Sequence, residues 1–156
     1  MILPFAAMLA LAPVPALAQD AQTAADPPPQ TQPLPVVLDG ADTTLDDWLW
    51  IRRPVVVFAD SPADPRFVEQ IGLLTQRMDA LAERDVVVIA DSDPAARSAV
   101  RQALRPRGFM LVIIAKDGTI VARKPAPWDV REISRSIDKL PLRQQEIKDR
   151  RDALRQ

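Results

Sequence analysis

The chain has 156 residues, nearly balanced charge (20 Lys and Arg against 21 Asp and Glu), and neither cysteine nor histidine. Without a thiol there is no disulfide exchange, peroxidatic sulfur or thiolate–metal bond, and without imidazole the commonest general base and metal ligand are missing. A formal net charge of −1 gives no general reason to expect nucleic-acid binding, and none is expected.

Residues 1–18 carry no charged side chain. Ile2 to Ala12 is apolar, Pro13 and Pro15 follow, and Ala16-Leu17-Ala18 precedes Gln19 and Asp20. This is the pattern of a secretory signal peptide cut after Ala18, and the two prolines argue against a membrane anchor. The expectation is an exported protein, periplasmic or secreted, with no transmembrane segment in the mature chain. The mature chain is long enough for one domain with its own core. Small exported domains often rely on disulfides; here packing alone must suffice.

Residues 19–37 are polar, alanine-rich and proline-rich with no periodic apolar face, and read as a disordered linker. The domain is expected over residues 38–141. Thr44-Leu45-Asp46-Asp47 offers a capped turn leading into Trp48 and Trp50. Val55 to Ala59 is a buried strand. Asp64-Pro65 then opens a long helix, with Phe67, Ile71, Leu74, Met78 and Leu81 on one stripe. Val86 to Ala90 is a second strand, parallel to the first. Asp93-Pro94 opens a second helix with Ala96, Val100, Ala103 and Leu104 facing inward. Phe109 to Ala115 is a third strand, Asp117-Gly118 a hairpin turn, and Thr119 to Arg123 an antiparallel return. Asp129-x-x-Glu132 opens a last core helix with Val130, Ile133, Ile137 and Leu140 buried, stopped by Pro141. Residues 142–156 form a charged helical tail with a Glu146–Arg150 pair.

This βαβ-then-ββα order is thioredoxin-like: an α/β fold, βαβαββα, with a four-stranded mixed sheet flanked by helices, plus the charged C-terminal helix. More narrowly, four pieces carry a resemblance: Trp50-x-x-Arg53-Pro54 with the strand through Ala59, Arg84-Asp85, Lys116-Asp117-Gly118, and Ile137-Asp138-x-x-Pro141-x-Arg143-x-x-Glu146. With them the chain resembles a family of bacterial exported proteins catalogued as domain of unknown function 4174. Similar domains in secreted animal matrix proteins imply a binding or scaffolding habit. Redox-active thioredoxins carry Cys-x-x-Cys where this chain has Asp60-Ser61-Pro62-Ala63-Asp64-Pro65. They carry a cis-proline where it reads Arg107-Gly108-Phe109-Met110. No redox residue carries over.

In such a sheet the carboxyl ends of the first two strands meet the start of the third, and ligands commonly bind there. That edge gathers Asp60, Ser61, Asp64, Asp91, Asp93 and Arg107. The carboxylates can hold a hard cation or serve as an acid/base pair, but helix capping accounts more simply for Asp64 and Asp93. No cofactor and no metal are expected. Arg97, Arg101 and Arg105, four apart, form a basic stripe suited to an acidic partner or to plain solvation. Residues 19–65 hold eight aspartates against two arginines, and residues 139–156 six Lys and Arg against three acids. Together these features favour a monomeric, non-enzymatic binding or scaffold module whose partner is an envelope protein. The alternative is a carboxylate- or divalent-metal-dependent enzyme using the Asp60/Asp91 edge.

Overall fold

Two runs of β-branched residues make the centre of the sheet. In the computed structural model, which describes residues 37–155, Arg53–Phe58 (β2) and Val86–Asp91 (β3) run parallel, with Arg53 opposite Val86 and Phe58 opposite Asp91. Both are covered on both faces, as their unbroken apolar sequences require. Met110–Ile114 (β4) lies antiparallel to β2, and Ile120–Lys124 (β5) closes the hairpin on β4. Gly118 takes φ +83° at the turn, where an L side chain would be strained, and the Asp117 carboxylate accepts from the Thr119 N–H at 2.9 Å. The sheet has five strands rather than four. A two-residue strand, Leu38–Asp39 (β1), adds parallel to β3 and gives the order β1-β3-β2-β4-β5. It is too short to show any alternation in the sequence.

One face of the sheet, with Val55, Val57, Val88 and Ile113, packs on helices Pro65–Thr75 (α1), Met78–Ala82 (α2) and Val130–Asp138 (α4). The other, with Val56, Phe58, Ile89 and Val112, packs on Ala99–Leu104 (α3) and on Leu45 and Trp48 of the preceding loop. The expected signal peptide and nearly all of the expected linker lie outside the described residues. Among the described residues no helix is long and apolar enough to cross a membrane.

The first two expected helices are divided. The stripe from Phe67 to Leu81 is split after Thr75, whose hydroxyl bonds back to the Ile71 and Gly72 carbonyls at 2.9 and 3.1 Å, a contact that bends helices. Periodicity misses the break because the apolar spacing continues across it. The helix expected from Asp93 is a single 3-10 turn, Pro94–Ala96, ended by Arg97 in the left-handed region (φ +49°). Ser98 is then a second N-cap, accepting from the Arg101 N–H at 3.0 Å, and starts α3 afresh. That restart buries Val100 and Leu104 but leaves Ala96 and Ala103 exposed, contrary to expectation. Pro141 both ends α4 and occupies the first turn of Pro141–Ala153 (α5).

Candidate functional site

The predicted ligand edge is built as a lock. Asp91 is buried at the end of β3, where a Cβ on Gly40 would come within 2.8 Å of its own Cβ. Its Oδ1 accepts from Arg101 Nε and Nη2 at 2.9 and 2.7 Å, and its Oδ2 accepts from the Ser98 hydroxyl. Arg101 Nη2 also donates to the Ala59 and Asp91 carbonyls at 2.7 and 3.0 Å, and the guanidinium lies over the Phe58 ring at 5.4 Å. The carboxyl ends of β2 and β3 are thereby tied by one largely buried arginine side chain.

The remaining predicted residues are spread around this lock. Asp60 is exposed, with one oxygen 3.6 Å from Arg101 Nη1. Asp64 caps α1 through the Arg66 N–H at 2.9 Å, and Asp93 caps the 3-10 turn through the Ala95 N–H at 2.9 Å. The hydrogen bond from the Arg66 side chain holds the Asp64 carboxyl below its usual range. Ser61 closes the local turn by accepting from the Ala63 N–H at 3.2 Å, and Arg107 is exposed in the loop before β4. Arg97, Arg101 and Arg105 do not form a stripe. Arg97 and Arg105 sit in left-handed conformations at the two ends of the interrupted segment, while Arg101 turns inward to Asp91. A left-handed residue breaks the 3.6-residue repeat that would have aligned them. Among the described residues no three acidic, histidine or cysteine side chains stand where they could hold a metal ion.

The opposite end of the sheet gathers the residues that carried the family resemblance. Arg53, at the start of β2, is fully buried, yet it is an arginine. Its Nη1 donates to the Arg84 carbonyl at 2.9 Å and its Nη2 to Glu146 Oε1 at 2.9 Å. Lys116 Nζ bridges the same Glu146 oxygen and Asp85 Oδ2, at 2.9 and 2.8 Å. Arg143 lies 3.4 Å from Glu146 Oε2 and 3.5 Å from Asp138, which pairs with Arg84 at 2.8 Å. Four cations thus share the carboxylates of Asp85, Asp138 and Glu146, and the Nε–H groups of Arg53 and Arg143 are buried with no hydrogen-bond acceptor among the described residues. The network staples the head of α5 to the sheet. Glu146 is spent on it rather than on the expected pair with Arg150.

Burial pushes the Glu146 carboxyl up, but hydrogen bonds from Arg53 and Lys116 overcome it and leave its pKa at about 2. A depressed carboxyl stabilises the fold above its ordinary pKa of 4.5 and loses that contribution as pH falls towards 2. The stability gap between the native protein and Glu146→Gln, on the order of 2 kcal/mol near neutrality, should therefore close between pH 5 and pH 2. Denaturant midpoints across that range measure it; a gap independent of pH would show that Glu146 is not held ionised.

Beside the network lies a groove of about 530 Å³ whose walls include Trp50, Val121, Leu140, Pro141 and Leu142, with Arg53, Lys116 and Asp117 as its charged members. Trp50 is in the left-handed region (φ +63°), its N–H bonded to the Lys116 carbonyl at 2.6 Å and its side chain residue 65 % exposed. Leu49, Ile51 and Leu142 are exposed as well. Trp48, by contrast, is anchored: its indole N–H donates to Thr43 Oγ1 at 2.8 Å. Residue-by-residue reading missed this end of the molecule, because its members are dispersed from residue 50 to residue 146 and share no local period. The resemblance motifs were the one signal that pointed to them.

Residues 44–146 match the family described as domain of unknown function (DUF4174). The chain belongs to this family. The matched span contains the whole ionic network and all the residues that line the groove. No curated protein matches the chain. Among solved structures, reduced 2-Cys peroxiredoxin from Plasmodium vivax is similar over 60 % of this chain and 80 % of its own, with 14 % identity and a TM-score of 0.51. Thioredoxin peroxidase I from Plasmodium yoelii is similar over 65 % of this chain and 79 % of its own, with 16 % identity and a TM-score of 0.46. At such identities the likeness speaks to fold alone, and the fold of this family member is thioredoxin-like. The peroxidase name does not transfer to a chain without cysteine.

Proposed function

We propose that the protein is an exported, non-enzymatic binding module that receives an apolar, acid-flanked protein segment in the groove between the Trp50 turn and the head of α5. The observation that carries this reading is Trp50. A left-handed backbone costs a bulky residue about 1–2 kcal/mol, and an exposed indole recovers little of that by burial. Strain kept at an exposed aromatic beside an apolar groove supports a functional reading. The acidic character of the partner rests on charge beyond the groove, where residues 139–156 hold six basic residues against three acidic; Arg53 and Lys116 are already paired with Glu146 and Asp85. The signal-peptide pattern ending at Ala18 supports export, which predicts an envelope form of the protein beginning at Gln19.

Trp50→Gly separates binding from folding. Relief of the left-handed backbone offsets the added chain entropy of glycine, so stability should change by less than about 1 kcal/mol. The dye 1-anilinonaphthalene-8-sulfonate, an apolar aromatic with one anionic group, should brighten on the native protein and lose most of that signal on the variant. Equal dye binding by both proteins, with both folded, would overturn the proposal.

A further inference from the structure

A second cleft, of about 340 Å³, lies between α2 and α4, with the Arg84–Asp138 pair in its wall. Four arginines line it, and their partners differ. Arg84 is fully engaged: its Nε and Nη2 take Asp138 at 3.0 and 2.8 Å and its Nη1 donates to the Ala80 carbonyl at 2.8 Å. Arg77, Arg131 and Arg135 have no acidic side chain within ion-pair distance among the described residues, and the Asp79 that shares the cleft with them has no basic one. Glu83 leans on Arg84 at 3.5 Å. The unpaired charge facing this space is therefore three guanidiniums against one carboxylate.

Ser134 supplies the second observation. It occupies a core-facing position on α4, in step with Val130, Ile133 and Ile137, and is only 8 % exposed. A buried helical hydroxyl ordinarily bonds back to a carbonyl of the preceding turn, as Thr75 does in α1. The Ser134 hydroxyl makes no hydrogen bond among the described residues and is not sealed in the core; the residue lines the cleft instead. A polar donor at an apolar position, facing three unpaired guanidiniums, fits an anion with several acceptor oxygens.

We infer that the α2–α4 cleft is a binding site for a phosphate group, held by Arg131 and Arg135 with Arg77 at the rim and the Ser134 hydroxyl donating from the floor. The four arginines of the lining exceed its three carboxylates, Asp79, Glu83 and Asp138, by one positive charge, and guanidinium forks suit phosphate oxygens. The site is independent of the Trp50 groove. The group comes from free phosphate or from the monoester headgroup of a membrane lipid.

The test titrates the full chain with inorganic phosphate against sodium chloride of equal ionic strength, following the melting temperature. It also sediments the protein with phosphatidic acid or phosphatidylcholine vesicles. A saturable rise specific to phosphate supports the site with a free ligand. Retention by phosphatidic acid vesicles alone supports it with a lipid source. In either arm, Arg131→Ala/Arg135→Ala should weaken binding at least tenfold, and Ser134→Ala, which the core position accepts, about threefold. No response in both arms, or a response that the arginine variants leave unchanged, would overturn it.

Discussion

Arg53→Met should lower stability by about 3 kcal/mol, although the substitution is nearly isosteric and replaces a charge with an apolar side chain at a fully buried position. The loss arises from what is left behind. The Arg84 carbonyl and Glu146 Oε1 each lose a donor at 2.9 Å, and Glu146 must then be held ionised by Lys116 and Arg143 alone. Removing one member of a buried ionic cluster costs more than the cluster contributes as a whole, because its partners stay desolvated. The companion variant Arg53→Met/Glu146→Leu should accordingly lose less than the sum of the two single changes. Urea midpoints of the four proteins measure the coupling; strict additivity would show that Arg53 and Glu146 do not interact. The single change should also loosen α5, since Arg143 and Glu146 are the α5 side chains tied into the network.

Asp91→Ala should be comparably damaging at the other end of the sheet, by about 3–5 kcal/mol. Arg101, only slightly exposed, would keep its carbonyl acceptors at Ala59 and Asp91 but lose its counter-charge, and the Ser98 hydroxyl would lose its acceptor. Asp91→Asn preserves shape while removing the charge, and should fall between the two. If Asp91 were instead an open ligand or catalytic carboxylate, both substitutions would be tolerated by the fold or would stabilise it, as removal of a strained functional charge often does. Equilibrium unfolding of the two variants distinguishes these outcomes.

How far the fold could be read from sequence depended on the range over which its determinants act. The strands expected at Val55–Ala59 and Val86–Ala90 and the Asp117-Gly118 turn announce themselves within a few residues, because β-branched runs and hairpin chemistry are local. Asp64, Asp93 and Asp129 were legible as caps for the same reason. The two helix interruptions were not. Thr75 back-bonding and the Ser98 cap are also local, but the apolar period runs straight through the first, and the Asp93-Pro94 start masks the second. Gln70 was invisible: it is fully buried and clamps the backbone of Trp128 with two hydrogen bonds, at 3.0 and 2.7 Å, across 58 positions of sequence. The same holds for the site. Composition and topology directed attention to the Asp60/Asp91 edge, where the thiols of redox relatives would lie. The buried partnership of Arg53 with Glu146 could be seen only once the chain had folded.

The contest between the two ends of the sheet comes down to one comparison. A photoreactive phenylalanine analogue is placed at Leu142, on the groove, or at Ser61, on the loop that follows β2, in full-length protein made in its own cells. With the docking site at the Trp50 groove, Leu142 yields a discrete crosslinked partner bearing an acidic, apolar segment, Trp50→Gly abolishes it, and Ser61 yields none. A product from Ser61 that survives Trp50→Gly, with Leu142 silent, would place the binding surface at the opposite edge.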